Sequence, residues 1–293
     1  MKEGRIVKAL SGFYYVQTED ALYACKGRGV FRNKKITPLV GDYVQFRESG
    51  ELEGYITTIE ERKNEFVRPP IANITQAVIV NAITAPSFNP YLLDRFLVIT
   101  ELKGIKPCIV MTKKDLATEK ELLMMDTYKA DYEQLGYDVF IVSLQTDEEI
   151  AFIKTLLKDE MTVLMGQSGA GKSTLLNTIN PSLSIETGEI SMSLGRGKHT
   201  TRHVELHEVA GGLVADTPGF SSIDFDDMDH DQLMHGFIEI SEKSSYCKFR
   251  SCLHVKEPKC AVKAAVENKE IKQYRYNHYV QFLQEIMERK PRY

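Results

Sequence analysis

Apolar and polar positions alternate in short runs at residues 5–9, 13–17, 22–26, 41–47 and 54–60. Each run is rich in Val, Ile, Tyr or Phe and is bounded by Gly or charged pairs. That pattern predicts five short strands. Five strands in so few residues predict a small closed barrel of the OB type, whose face and loops often bind oligonucleotides. Arg68-Pro69-Pro70 then predicts a stiff break, because a residue before proline is pushed out of the helical region.

From residue 71 the period changes. Apolar strands at 76–82, 107–111, 138–142, 161–165, 204–209 and 213–216 are interleaved with helical stripes at 91–103 and 119–135, which Gly104 and Gly136 stop. Strands separated by helices imply an α/β domain with a mostly parallel sheet covered on both faces. The last two strands, joined through Gly211-Gly212, read as an antiparallel hairpin at its edge. Beyond 226 the chain becomes helical and basic around a cysteine cluster. The expected domains are 1–68, 71–225 and 226–293.

The composition excludes several classes. At 43% apolar and 27% charged, the 293 residues are neither disordered nor fibrous. The longest apolar runs, 77–83 and 161–165, fall short of the roughly 20 residues that cross a bilayer. The first ten residues lack the apolar stretch of a secretory signal, and five cysteines are an odd number; both point to a reducing cytoplasm and free or metal-bound thiols. No coiled-coil repeat argues for assembly, so a monomer is expected.

A net charge of −4 argues against indiscriminate nucleic-acid binding. The average hides a segment: from Lys243 onward there are twelve basic and five acidic side chains. That asymmetry marks a polyanion-binding module or a solvated helical surface. Likewise Lys26, Arg28, Phe31, Arg32, Lys34 and Lys35 mix cations with an aromatic ring, as single-strand binders do, or form a plain solvated loop.

The sharpest motif is Gly166-Gln167-Ser168-Gly169-Ala170-Gly171-Lys172-Ser173, which matches G-x-x-x-x-G-K-[ST] between a predicted strand and a predicted helix starting at Thr174. Its glycines let backbone N–H groups converge on phosphates. Lys172 reaches the β and γ phosphates and Ser173 holds Mg²⁺. Asp216 and Gly219 end another strand as D-x-x-G, suited to the metal and the γ-phosphate; Thr201, in the polar stretch between, is the second candidate magnesium contact.

Thr112-Lys113-Lys114-Asp115 follows a buried strand and matches the guanine-recognition pattern N/T-K-x-D. A carboxylate there accepts from guanine N1–H and the exocyclic amine, a donor pair that adenine lacks. Ser143, ending the next strand, falls where a loop would support the same base. The order is unusual: the base motif and its support precede the phosphate loop, whereas ordinary GTPases have them after it. Joining the old termini and cutting elsewhere preserves the same neighbours in space, so the order predicts a circular permutation.

Cys247, Cys252, His254 and Cys260 lie within fourteen residues. Three thiolates and an imidazole complete a closed tetrahedral zinc site, although the spacing is not that of paired C-x-x-C motifs and reduced thiols are the alternative. Cys25 and Cys108 read as buried small hydrophobes. Lys248, Arg250, Lys256, Lys259 and Lys263 surround the cluster, and Tyr274, Arg275, Tyr276 and Tyr279 follow on a predicted helix. They fit RNA contacts, with some of the tyrosines packing the helix instead.

In this order, a barrel-like N-terminus, TKKD, GQSGAGKST, GRGKHTTRH, DTPGF and the C-x4-C-x-H-x5-C cluster resemble the circularly permuted, small-ribosomal-subunit-dependent GTPases (ribosome small subunit-dependent GTPase A), over essentially the whole chain. The resemblance implies a cytoplasmic bacterial assembly factor. Such a factor binds the immature small (30S) subunit through ribosomal RNA, tests late maturation near the decoding region, and leaves after hydrolysing GTP to GDP. It assigns Thr112 to Asp115 and Gly166 to Thr174 to nucleotide, and the three cysteines and His254 to zinc. Phe220 follows Gly219 where Ras-like enzymes carry the glutamine that orients water. His199 is therefore the expected water-positioning residue, favoured by the resemblance, with Arg196 and Arg202 as charge stabilisers or RNA contacts. Two other classes remain: a small-molecule kinase, which has no use for the base motif, and an RNA-binding module carrying nucleotide as a static ligand.

Overall fold

The computed structural model describes residues 1–27, 31, 36–183, 204–216, 225 and 228–289. Among the predicted residues, Arg28, Arg32, Lys34, Lys35, Arg196, His199, Thr201, Arg202, Gly219 and Phe220 lie outside them, as does the Asp216 side chain. By contact density the chain forms two compact units.

The first unit comprises Met1–Val78, Leu144–Ser168 and Lys172–Ser221. Its five N-terminal strands are β1 (Lys2–Leu10), β2 (Phe13–Gln17), β3 (Leu22–Gly27), β4 (Tyr43–Gly50) and β5 (Glu53–Ile59). They run in the order β1-β2-β3-β5-β4, and β4 returns to pair with β1, which closes the barrel. β3 and β5 are parallel and the other pairs antiparallel, the five-stranded OB arrangement expected above. Alternation places Ile6, Val16, Cys25, Val44, Phe46 and Ile56 inside, each essentially inaccessible. Phe31 is buried as well, so it is core and not the exposed stacking ring anticipated for the basic segment.

The proline break is part of a small hairpin. β6 (Glu65–Phe66) pairs with β7 (Ile71–Ala72), Pro69 and Pro70 sit in the turn, and Phe66 and Ile71 are buried. Buried Asp42 anchors the preceding segment, accepting from Arg62 Nε at 2.7 Å and Nη2 at 2.8 Å.

The same unit contains β11 (Met161–Met165), β12 (Glu205–Val209) and β13 (Gly212–Asp216). β13 is parallel to β11 and antiparallel to β12, and β12 joins the barrel where its Glu205 pairs with Lys8 of β1. The predicted edge hairpin is therefore bridged to the barrel. Gly212 is required by space, since a Cβ there would lie 1.8 Å from the Leu157 carbonyl oxygen.

The second unit comprises Ile79–Ser143, Gly169–Gly171 and Ser222–Tyr293. The chain enters it along β8 (Gln76–Ala82), which is followed by α1 (Pro90–Leu102), β9 (Lys106–Thr112), α2 (Glu119–Gln134) and β10 (Asp138–Ile141). The strand order is β10-β9-β8, with β9 and β10 parallel. β8 is buried at every residue, as a sheet covered on both faces requires.

Helix α3 (Asp147–Leu157) escaped the periodicity. Its signal is the cap: Thr146 accepts from Glu149 N at 3.2 Å, and Asp147, Glu148 and Glu149 fill the first turn, where the helix dipole favours anions. Helix α4 (Lys172–Ile179) starts two residues before the predicted position. The basic C-terminal region adds α5 (His230–Leu233), α6 (Ile238–Ser244), α7 (Ala261–Glu267) and α8 (Gln273–Glu288).

Candidate functional site

Parallel pairing sets the phosphate loop at one end of the sheet. Val163 on β11 faces Ala215 on β13, so Asp216 and the loop start, Gly166, leave the sheet at the same edge. Gly169 and Gly171 have φ of +78° and +97°, which L side chains rarely adopt; their neighbours would leave room for a Cβ, so backbone conformation is what requires glycine. Lys172 folds back over the loop, donating to the carbonyls of Gly166 at 2.5 Å and Gln167 at 2.8 Å. Burial pushes its ammonium down to about 8.

The base motif meets this loop. Thr112, buried at the end of β9, donates to the Ala170 carbonyl at 2.7 Å. Lys113, at φ +63°, donates to the Gly169 carbonyl at 2.9 Å and also to the Ala85 carbonyl. Lys114 and Asp115 open a single 3-10 turn and are exposed, leaving the Asp115 carboxylate accessible to a ligand. The Lys114 N–H donates to Val142 at 3.3 Å, which places the segment leading into Ser143 beside the same motif. Segments 58 positions apart are thus joined.

Cys247, Cys252, His254 and Cys260 converge, each offering one ligand atom within 4.8 Å of the others. Cys247 Sγ lies 3.8 Å from Cys260 Sγ and 3.5 Å from His254 Nδ1; the Cys260 sulfur is 3.4 Å from the same nitrogen. A tetrahedron with Zn–S of about 2.3 Å and Zn–N of about 2.0 Å has edges of about 3.8 Å and 3.5 Å, so the Cys247, Cys260 and His254 atoms match three of its edges, and the Cys252 sulfur lies within 4.8 Å of each as the fourth donor. Burial pushes the Cys252 thiol up to about 12 and lowers His254, so zinc binding here would release thiol protons and meet an imidazole already neutral.

Two family models match the chain: RsgA GTPase over residues 59–226 and RsgA N-terminal domain over residues 3–56. The chain belongs to the RsgA GTPase family. It is 56% identical over 293 residues to Small ribosomal subunit biogenesis GTPase RsgA 2 of Oceanobacillus iheyensis, and 55% identical over 298 residues to Small ribosomal subunit biogenesis GTPase RsgA of Bacillus subtilis strain 168. Both matches cover all of each chain. The crystal structure of YloQ, a circularly permuted GTPase, superposes with a TM-score of 0.84 at 51% identity, covering 100% of this chain and 97% of that one. YjeQ from Thermotoga maritima gives 0.85 at 34%, covering 98% and 99%.

The chain is therefore a GTP hydrolase with a circularly permuted α/β domain, an N-terminal five-stranded OB-type barrel and a helical C-terminal region bearing a Cys3His cluster. Membership implies GTP, GDP and Mg²⁺ as its ligands, which the glycine cradle and Lys172 fit. It also sets aside the kinase and static-ligand readings.

One group departs from its expected role. Arg275 is fully buried: Nη1 donates to Asp94 at 2.5 Å and Nε to Glu239 at 2.7 Å. Burial alone would lower this guanidinium; Asp94 and Glu239 outweigh that and raise it. Tyr132 donates to Asp94 at 2.7 Å, and His278 Nδ1 lies 2.6 Å from the same carboxylate. Tyr279 is buried too, and the Tyr274 hydroxyl is sealed from solvent. Arg275, Tyr274 and Tyr279 pack α8 and do not form a polyanion-binding surface. In this C-terminal region Tyr246 at 78% exposed and Phe249, with Lys248 over its ring at 5.5 Å, form an accessible cation-aromatic face.

The motifs also missed Arg95 on α1. It pairs with Glu285 at 2.5 Å and stacks at 4.2 Å on buried Phe225, the first described residue after the D-x-x-G segment. A charged Asp94-Arg95 pair inside the apolar run 92–99 was the available signal.

Proposed function

We propose that the chain is a cytoplasmic, monomeric assembly factor that binds the small (30S) ribosomal subunit through its rRNA late in maturation, hydrolyses GTP faster when bound, and then dissociates. The names of the full-length relatives support the small subunit as the setting. The observation that carries the guanine-nucleotide reading is the docking of Thr112 and Lys113 on Ala170 and Gly169, in a chain whose motif order is permuted. Among the described residues no helix is long and apolar enough to cross a membrane.

In this reading Gly166, Gln167, Ser168, Gly169, Ala170 and Gly171 wrap the phosphates with Thr174 at the helix start, Lys172 exchanges loop carbonyls for phosphate oxygens, and Ser173 and Thr201 hold Mg²⁺. Asp216 and Gly219 sense the metal and γ-phosphate. Asp115 reads guanine, with Lys113, Lys114 and Ser143 framing the base. Cys247, Cys252, His254 and Cys260 hold one structural Zn²⁺. The work divides among 1–68, 71–225 and 226–293: the barrel and the loop carrying Lys248, Phe249 and Arg250 take RNA, and the middle segment takes nucleotide.

In this reading His199 positions the attacking water in the subunit-bound complex, since Phe220 cannot. Phosphate release should rise with added small subunits but not large ones, and the effect should weaken steeply with salt because RNA contacts release counterions. His199→Ala should lose the stimulation and keep GTP affinity; stimulation retained in that variant removes the histidine from the mechanism. Equal rates with either subunit refute the partner.

A further inference from the structure

A histidine that ligates metal usually donates its second ring N–H to a carboxylate or carbonyl, which sets the ring. His254 does not. Its Nδ1 faces the sulfurs, and its Nε2 is buried with no hydrogen-bond partner among the described residues. The Tyr279 ring lies beside the imidazole at 6.0 Å, offering a surface but no acceptor. Something else must aim it.

The main chain carries the order. His254 has φ +61°, a left-handed conformation that a β-carbon disfavours. Around it, Glu257 Oε1 accepts from Leu253 N at 2.9 Å, and Oε2 accepts from Val255 N and Lys256 N at 3.0 Å each. The Tyr276 hydroxyl donates to the His254 carbonyl at 2.7 Å and Tyr279 to that of Leu253 at 3.1 Å. Lys263 donates to the Val255 carbonyl at 3.2 Å. Burial pushes the Glu257 carboxyl up, but the gathered N–H groups bring it below the ordinary carboxylate range.

We propose that Glu257 is the positioning residue of the metal cluster, acting with Tyr276 through the backbone on either side of His254 in place of the missing ring partner. This rests on the zinc reading given above. A carboxylate that collects three N–H groups holds the strained turn ready before metal arrives, and it touches neither the metal nor a ligand atom. Glu257→Gln keeps the length but turns one acceptor into a donor facing backbone N–H groups.

The test is zinc release from the full-length protein to a chromogenic chelator, with the d–d spectrum of the Co²⁺-loaded protein as a second readout. Glu257→Gln should release zinc about 10–100-fold faster and shift or weaken the tetrahedral Co²⁺ bands, with GTP affinity unchanged. Glu267→Gln, an exposed control on α7, should match wild type. Wild-type release and an unchanged spectrum in Glu257→Gln overturn the proposal. Should that variant fail to fold, Tyr276→Phe decides: several-fold faster release supports it and the wild-type rate overturns it. A wild-type protein that binds neither zinc nor Co²⁺ refutes the zinc reading and the proposal with it. Stoichiometric metal with an indifferent Glu257 refutes the proposal alone.

Discussion

The nucleotide loop and the metal loop are built on opposite plans. The first draws its groups from positions 58 apart, and main-chain carbonyls take the hydrogen bonds from Thr112, Lys113 and Lys172. The second takes all its ligands from fourteen consecutive residues, and local turns within 252–257 present them. Such a loop takes its ligands and its gathered N–H groups from its own chain, and borrows from α8 only the Tyr276 and Tyr279 hydroxyls that hold two of its carbonyls. A cradle assembled by a sheet exists only when the sheet does. The buried ion group at Arg275 ties α8, which supplies Tyr276 and Tyr279, to α1 and α6.

The severest way to break this contrast is Arg275→Ala. It leaves Asp94 and Glu239 buried without their cation, which should cost about 3–5 kcal/mol of stability, read by denaturant unfolding. The local plan predicts that stoichiometric zinc survives in the fraction still folded. Loss of metal in folded protein would mean that α8 does more for the loop than hold two carbonyls through Tyr276 and Tyr279.

Asp115→Ala should lower GTP affinity by about 3 kcal/mol, since two hydrogen bonds to a charged acceptor disappear, and should erase the preference over ATP in competition binding. Zinc content should not change. An undiminished preference would move base recognition elsewhere.

The Lys172 ammonium sharpens the contrast through pH. Its value in the free protein is pushed down to about 8, whereas a phosphate partner would raise it. Below about 8 the lysine is charged in both states and affinity is level. Above it, binding must take up a proton, so GDP affinity should fall about tenfold per pH unit until the bound value is passed. Lys172→Arg should flatten titrations between pH 7 and 9.5.

Arg95→Gln is the mildest change. It removes a half-exposed pair with Glu285 and the stacking on Phe225, and should cost about 1 kcal/mol by thermal melting, with zinc and nucleotide affinity nearly intact.

Much of the molecule was legible because its signals are local. Strand alternation marked the barrel, the glycines at 169 and 171 marked a backbone that only glycine adopts readily, and the spacing of Cys247, Cys252, His254 and Cys260 marked a tetrahedral donor set. Helix α3 was missed because its evidence is a cap and three acids rather than a stripe. The RNA role imagined for Arg275 failed because charge beside aromatic rings looks the same whether solvated or sealed inside.

By itself the amino-acid order determined the short-range geometry: which turns need glycine, where helices are capped, and which residues can surround a metal. Only the tertiary structure decided that Asp94 meets Arg275 across 181 positions, that Lys113 closes on Gly169, and that the Tyr276 hydroxyl reaches the His254 carbonyl. The reason is physical. A hydrogen bond between distant segments leaves no periodic trace along the chain, and a buried charge finds its partner only when packing brings the two together.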